Sequence, residues 1–498
     1  MNIFYYDVAI PIPIRETFTY ECKESIQVGS RVLVEFRKKK VVGHIVKAVL
    51  KKPNFDTIQI SEILDEEPIF KSNDIDILFW LADYYQHPIG EVFDTFCPPI
   101  LRKPVKRNIH SRNIQPEYKA FSNDKKVTLN KEQVESLEIL NKLDGFDPCL
   151  LYGVTGSGKT EIYLRLTDTY LTKGKSVLIL VPEISLTPQL EDRFVSRFGD
   201  NIGIYHSKKT AKQRYDIWER AQSGELKIVI GTRSAVLCPL NELGMIIVDE
   251  EHDQSYKQHE GFRFSARDLS IKRAQVEAIP IVLGTATPSL QTLRLVQEKK
   301  YKEAKLLKRA NGFKPPGFIT LDINDSQLES GIAKESLDAI TNTLKENKQV
   351  LIFINRRGFS PLYECSSCRW IAECSSCDAR LVFHHGLNRL ICHRCDSAYG
   401  VPKKCPACNS SSLNLQGSGT ERIELFLENY FEGTTIIRLD QDTTKKKGSL
   451  KEILEMVHKS ESAILVGTQM LAKGHDFPRV ELGIILNCDS GITSPDIN

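Results

Sequence analysis

The chain has 498 residues, 41% of them apolar and 26% charged, and a formal net charge of +3. That length holds about three or four domains of roughly 100–200 residues each. The composition excludes a disordered or fibrous class, and the small net charge means that any basic surface must be local. No run of about 18 apolar residues occurs, so no spanning helix is expected. The N-terminus MNIFYYDVAIPIPIRETF lacks the basic-then-apolar order of a secretory signal. A cytoplasmic location is expected, and thirteen cysteines fit it if most of them hold metal and not disulfides.

Residues 1–100 read as a small β-rich domain. IQVGSRVLVEF and KVVGHIVKAVL are alternating, β-branched runs separated by a basic turn, Arg37-Lys38-Lys39-Lys40, and DIDILFWLADYYQ is a helix ended before Pro88. The segment 101–126 is basic and non-periodic and reads as a linker, either a solvated tether or one lying against phosphates. From 127 onward short apolar runs (CLLYGV, SVLILVP, KIVIG, MIIVDE, IPIVLGTA) alternate with helical segments such as AKQRYDIWERAQ and ARDLSIKRAQVEA. A second set, QVLIFIN, TTIIRLD, AILVGT and LGIILNCD, follows. This pattern predicts α/β lobes built on parallel sheets with helices on both faces.

Gly153-Val154-Thr155-Gly156-Ser157-Gly158-Lys159-Thr160 is a G-x-x-x-x-G-K-[ST] phosphate loop between the strand CLLYGV and the helix EIYLRL. Its backbone N–H groups and the helix N-terminus suit phosphate oxygens. Lys159 would reach the β- and γ-phosphates, and the Thr160 hydroxyl would ligate Mg²⁺. MIIVDEEH places Asp249 to hold the same Mg²⁺ and Glu250 to orient and deprotonate an attacking water. Gln133, upstream in LNKEQ, is a candidate for reading adenine. Just after Glu250, Tyr256, Phe262 and Phe264 alternate with Lys257, Arg263 and Arg267. Such a segment can stack on bases and grip phosphates of a single strand, or it can be ordinary core aromatics beside a charged face.

Eight cysteines form four C-x-x-C pairs, Cys365/Cys368, Cys374/Cys377, Cys392/Cys395 and Cys405/Cys408. Each pair has the bite for one tetrahedral Zn²⁺, so two closed, structural Cys₄ sites are expected, with an Fe–S cluster as the main alternative and disulfides as the weaker one. The spacing leaves open which pairs share a metal. His384, His385 and His393 read as surface residues, and Cys22, Cys97, Cys149, Cys238 and Cys488 as small buried ones.

D-E-E-H after a strand followed by G-T-A-T-P at 284–288 is the order of superfamily 2 helicases, which the chain resembles over about 130–498. Gly467-Thr468-Gln469 and Lys473-Gly474-His475-Asp476 match the motif of the second lobe that contacts DNA and nucleotide. GVTGSGKTEIYL, LVPEISLTPQL, GTRSA, DEEHDQSYKQHEGFRFSARDLSIKRA and GTQMLAKGHDFPRVELG narrow the resemblance to the PriA family of replication-restart helicases. The resemblance implies tandem RecA-like lobes, lobe 1 over 127–310 and lobe 2 over 311–498, with a zinc-binding insertion at 365–408. It also implies nested zinc sites, the first and fourth pairs on one ion and the second and third on the other. It implies an ATP-dependent 3′→5′ DNA helicase, acting as a monomer, that remodels stalled forks and initiates primosome assembly. Its expected partners are forked and single-stranded DNA, primosome proteins and single-stranded-DNA-binding protein.

AIPIPIRETFTY resembles the family's 3′-end DNA-binding domain over 1–100, with Phe18 and Tyr20 expected to stack on a terminal base. Where the family has F-D-Y the chain has Phe18-Thr19-Tyr20, which removes a carboxylate that could accept from a 3′-hydroxyl, and a family glycine is replaced by Arg37 after Phe36. The winged-helix domain that many members carry after this region is not expected within 101–126. The family's Q-x-x-G-R-x-G-R motif does not occur before Asn498, and fast hydrolysis is expected to need its arginine. A fork-binding adaptor with little turnover is therefore a second expectation, and an RNA helicase or duplex translocase a third.

Overall fold

The computed structural model describes residues 3–107, 127–182, 188–310, 312, 316–323, 326–354, 362–365, 367–368, 370–377, 380–384, 389–392, 395, 397–416, 420–439, 449–468, 477–486 and 488. The chain divides into two compact units, Met1–Pro315 and Pro316–Asn498.

The first unit starts with β1 (Phe4–Ala9), β2 (Phe18–Cys22), β3 (Arg31–Phe36), β4 (Lys39–Val49), β5 (Ile58–Gln59) and β6 (Glu62–Ile63). They form one sheet in the order β5-β2-β1-β4-β3-β6, antiparallel except for β2–β5. The β3–β4 hairpin is the one expected from the alternating runs, but its turn is shorter. Only Arg37 and Lys38 turn, at φ 48° and 63°, while Lys39 and Lys40 already pair in β4. A two-residue hairpin loop with positive φ at both positions matches the twist of its strands, and here it is built without glycine.

Two helices follow, α1 (Ser72–Tyr84) and α2 (Ile89–Phe96). Ile77, Leu78, Leu81 and Phe93 on them are fully buried. They belong to one apolar cluster with Trp218, Val236 and Leu269 of the following α/β region. The anticipated boundary near residue 100 is thus spanned by a continuous core. The start of the basic segment is built into it and is not a solvated tether. Arg31, with no exposed surface, pairs with Asp65 at 2.6 Å and donates to the carbonyls of Leu101 and Val105. Arg102 donates to the carbonyls of Cys97 and Thr95. Buried Arg107 lies over the Trp218 ring at 5.2 Å. The Arg31 guanidinium is thus saturated by a carboxylate and main-chain oxygens, whereas Nε and Nη1 of Arg107 have no hydrogen-bond partner. Residues 108–126 lie outside the described residues.

The α/β region comprises α3 (Lys131–Asn141), β7 (Pro148–Gly153), α4 (Lys159–Thr172), β8 (Ser176–Leu180), α5 (Pro188–Phe198), β9 (Ile202–Tyr205), α6 (Ala211–Gln222), β10 (Ile228–Gly231), β11 (Leu243–Asp249), α7 (Ala266–Val276), β12 (Ile281–Thr285), α8 (Leu290–Gln297) and β13 (Lys302–Leu306). Its seven strands are all parallel, in the order β13-β7-β12-β11-β8-β10-β9. The five apolar runs are the inner strands, buried on both faces, as parallel sheets require. The two edge strands were not anticipated: β9 is only the four-residue run IGIY, and β13 is KEAKL, a helix-forming composition, yet pairing with β7 buries Ala304 and Leu306.

The second unit holds the hairpin β14 (Leu328–Glu329) and β15 (Ile332–Ala333), then α9 (Lys334–Lys345) and β16 (Gln349–Ile354). β17 (Leu362–Cys365), β18 (Val382–His384), β19 (Arg389–Ile391), β20 (Ala398–Gly400) and β21 (Leu413–Gln416) make an antiparallel sheet carrying the cysteine pairs. This inserted module therefore reaches beyond 365–408. α10 (Thr420–Tyr430), β22 (Thr435–Leu439), α11 (Ser449–Lys459), β23 (Ala463–Gly467) and β24 (Val480–Leu486) complete a parallel sheet in the order β22-β23-β16-β24. These are the four strands expected. Cys22, Cys97, Cys149 and Cys238 are buried as expected, whereas Cys488 is exposed beyond the end of β24. Among the described residues no helix is long and apolar enough to cross a membrane.

Candidate nucleotide site and metal centres

The phosphate loop joins β7 to α4, with Gly158 as the N-cap in the left-handed region at φ 86°. Glycine is required there by the backbone, because a Cβ would be strained at that φ, and a Cβ would also push on the Gln133 amide. Ser157 Oγ is buried and has no hydrogen-bond partner. A buried hydroxyl left open inside such a loop is a donor awaiting an acceptor, as a phosphate cradle needs. Lys159 Nζ meanwhile donates to the Gly153 carbonyl at 3.1 Å and pairs with Glu250 at 3.4 Å.

Asp249 closes β11, and Glu250 follows at φ 45°. A non-glycine residue in that region costs about 1–2 kcal/mol. Here the Glu251 N–H bonds the Gly284 carbonyl at 3.1 Å and the Asp253 N–H bonds the Glu250 carbonyl at 2.8 Å, holding the turn that brings Glu250 to Lys159. Burial, helped by the charge of Glu250, pushes the Asp249 carboxyl up to about 6, while Lys159 and a hydrogen bond from Tyr163 act the other way. A carboxylate so placed gains by facing a cation. Thr160, on the first turn of α4, and Asp249 are the oxygen donors that suit Mg²⁺.

Neighbouring residues lock these groups in place. Thr285 Oγ1 lies 2.7 Å from His252 Nδ1 and donates to Glu250 at 3.4 Å. Buried Glu251 accepts from the Ser289 N–H at 2.7 Å and from the hydroxyls of Ser289 and Thr292 and from Arg267, each at 3.1 Å. The acidic strand end and the G-T-A-T-P segment are thereby one hydrogen-bonded body.

Several anticipated site residues are used otherwise. Gln133 has both ends of its amide engaged: Oε1 accepts from Asn130 N–H and Nε2 donates to the Ser157 carbonyl, each at 2.9 Å. It braces the phosphate loop, and one N–H and one lone pair of its amide remain for a base. Tyr256, Phe262 and Phe264 are only 2–3% exposed. Tyr256 donates to the Asp249 carbonyl at 2.6 Å. Phe262 and Phe264 stack at 5.2 Å and pack against Tyr85, His87 and Phe96. The core reading of these aromatics prevails over the base-stacking one, because α1, α2 and the loop between them cover the rings. Arg267 is spent on Glu251 and Asp268. Lys257 and Arg263 remain exposed.

In the N-terminal sheet Tyr20 is also buried, its hydroxyl donating to the Glu35 carbonyl at 3.0 Å, so it cannot stack on a base. Phe18 is partly exposed and meets Phe36 edge-on at 5.1 Å. Thr19 donates to Asp7 at 2.7 Å across the β1–β2 pair. A carboxylate therefore does stand beside the Phe18-Thr19-Tyr20 triplet, from the neighbouring strand.

Cys365, Cys368, Cys405 and Cys408 converge in one group and Cys374, Cys377, Cys392 and Cys395 in another, with all ligand atoms of a group within 4.8 Å of one another. This is the nested pairing. Sulfur–sulfur separations of 3.4–3.6 Å are far from the ~2.05 Å of a disulfide and near the ~3.8 Å edge of a tetrahedron with Zn–S bonds of about 2.3 Å. The donor sets fit zinc. The side chain of His384 and residues 385 and 393 lie outside the described residues, as do Gln469 and 473–476 of the second-lobe motif.

Tyr163 and the Tyr85–His87–Phe96 cluster were not anticipated, and Glu251 and Thr285 lay within the D-E-E-H and G-T-A-T-P motifs without an assigned role. Tyr163 carried a usable signal, standing one helical turn after Lys159 on the same face. The cluster partners lie far away in sequence and carried none.

Comparison with known proteins agrees with this architecture. The PriA 3′DNA-binding domain (3′BD) family matches residues 7–98, the DEAD/DEAH box helicase family residues 130–296, and the PriA DNA helicase Cys-rich region (CRR) domain family residues 374–398. Replication restart protein PriA of Haemophilus influenzae is 36% identical, over 98% of this chain and 77% of that protein. The protein of the same name from Chlamydia pneumoniae is 33% identical, over 99% of this chain and 77% of its own length. That of Rickettsia conorii is 34% identical, over 98% and 75%.

Proposed function

The chain belongs to the PriA family, and from that premise we propose that it is an ATP-driven 3′→5′ DNA helicase that recognises and remodels stalled replication forks and initiates primosome assembly. The observation that carries this reading is the convergence of Lys159, Asp249 and Glu250 on a phosphate loop whose Ser157 hydroxyl lacks a partner. On binding ATP, Lys159 exchanges Glu250 and the Gly153 carbonyl for the β- and γ-phosphates. That exchange frees Glu250 to orient the attacking water and take its proton. Thr160 and Asp249 would hold Mg²⁺, whose charge neutralises the phosphates as the bond breaks. The loop Gly153 to Thr160 supplies N–H donors, and Gln133 keeps it in shape.

Exposed Lys257 and Arg263 provide phosphate contacts for the strand being moved, and Phe18, with Asp7 and Thr19 beside it, provides the contact to a 3′ end. The zinc module, with two structural Zn²⁺, docks duplex DNA and partners. The further partners are primosome proteins and single-stranded-DNA-binding protein, and the protein acts as a monomer in the cytoplasm. The test is ATP hydrolysis with and without forked DNA, with Lys159→Ala as control. Stimulation by forks that the substitution abolishes is expected. Fork binding without turnover in the unaltered chain, or stimulation by RNA alone, would overturn the reading.

A further inference from the structure

Tyr163 lies three residues after Thr160 and four after Lys159 on α4, so helix geometry puts its side chain on their face of the helix, one turn deeper. It is 2% exposed. Its hydroxyl donates to Asp249 Oδ1 at 2.8 Å. Asp249 on β11 is paired in register with Gly284 on β12, the first residue of G-T-A-T-P. A Cβ at 284 would collide with the Tyr163 hydroxyl, and the ring carbon bearing it would stand 2.9 Å away. One phenolic oxygen is therefore the meeting point of the phosphate-loop helix, the acidic strand end and the glycine of the adjoining strand. Asp249 is held a second time, through its carbonyl, by Tyr256.

A carboxylate turns about a broad, roughly two-fold torsion; the Glu250 backbone N–H bonds the Asp249 carboxylate from its own strand end, and the Tyr163 hydroxyl holds Oδ1 from the phosphate-loop helix. We propose that Tyr163 is a positioning residue for hydrolysis: its hydroxyl occupies Oδ1 of Asp249, fixes the carboxylate plane, and presents Oδ2 to the metal or its water, with glycine required at 284 to admit the hydroxyl. This rests on the reading of Asp249 as the carboxylate that faces magnesium. Tyr163 touches neither substrate nor metal; it acts through Asp249.

The test uses the full zinc-loaded chain. Binding of a fluorescent ADP analogue is titrated at increasing Mg²⁺, and DNA-stimulated ATPase is measured alongside. Tyr163→Phe is expected to keep the thermal midpoint and the Mg²⁺-free affinity for the analogue. The Mg²⁺ needed for half-maximal binding should rise about tenfold and kcat should fall about tenfold, the loss of one hydrogen bond to a charged group, while KM for nucleotide changes less than about twofold. Gly284→Ala should be more damaging in the unaltered chain than in the Tyr163→Phe background, because the oxygen it would strike is then gone. An unchanged Mg²⁺ requirement in Tyr163→Phe overturns the proposal. So do losses that simply multiply in the double variant. Asp249→Asn separates the two levels: if it too leaves the Mg²⁺ dependence intact, the reading of Asp249 itself is wrong.

Discussion

The nucleotide site and the cysteine-rich module were both announced by short motifs, but they are held together differently. The phosphate loop and the acidic strand end rest on a seven-stranded parallel sheet whose inner strands are buried along nearly all their length, and the helices of the N-terminal region share part of its core. The cysteine module has five short strands and an apolar cluster of Ala372, Leu381, Leu390 and two of its own ligands, Cys374 and Cys392. In the first, packing positions the chemistry. In the second, the metal-binding residues are themselves a large part of the core, so the fold and the ligand set are the same interaction. A site of the first kind loses function when one group is altered, whereas a module of the second kind loses structure.

The largest expected effect follows from this. Stripping zinc with a chelator, or Cys392→Ala, should unfold the module, since structural zinc contributes about 10–16 kcal/mol to small folds of this type. Hydrogen exchange across 389–400 should become fast while binding of a fluorescent nucleotide is unchanged. Retained protection there would erase the contrast. The chain should carry two equivalents of zinc, and iron absorbance would refute that assignment.

Next in size is Phe262→Ala, which opens the cluster with Tyr85, His87 and Phe96 and should destabilise the first unit by about 3–5 kcal/mol. Were the ring a base-stacking platform, DNA affinity would fall instead, with stability untouched. Equilibrium denaturation and strand binding on the same variant separate the two. Lys159→Ala should lower DNA-stimulated hydrolysis by about a hundredfold or more, comparable with removing one preorganised transition-state donor, without changing the melting temperature appreciably.

A smaller, pH-dependent effect concerns His44. It is buried between Phe70 and Phe93 with Nδ1 unpartnered, and burial, with Arg31 and Arg102 nearby, lowers its pKa from 6.5 to about 3. The folded state thus refuses a proton that the unfolded chain accepts. Stability is complete above about pH 6.5 and is lost as pH falls toward 3. His44→Leu should change stability at pH 7 by roughly 1 kcal/mol or less and flatten the acid loss; an unchanged acid slope would disprove the assignment. The smallest effect on the fold is expected for Lys257→Ala with Arg263→Ala. Both side chains are exposed, so denaturation should shift by no more than about 0.5 kcal/mol, while the salt dependence of strand binding should lose about one unit of slope per phosphate contact removed.

What the sequence determined by itself was whatever chemistry imposes at short range. Gly158 needs its left-handed turn, two cysteines three positions apart share a metal, and strands buried on both faces must be apolar along their whole length. The phosphate loop, the acidic pair, the inner strands of the first parallel sheet, the four strands of the second and the four cysteine pairs were legible for that reason. Tertiary structure decided everything that depends on which surface covers which. KEAKL became strand β13 because β7 offered it an edge. Tyr20, Phe262 and Phe264 became core because other elements lie over them, and Arg31 and Arg107 became struts between segments. Gln133 became a brace of the phosphate loop through the Ser157 carbonyl, and Tyr163 was drawn to Asp249 across 86 positions of sequence. An aromatic ring or a guanidinium has the same composition whether it meets a base, a phosphate or a neighbouring helix, and only the folded contacts choose among them.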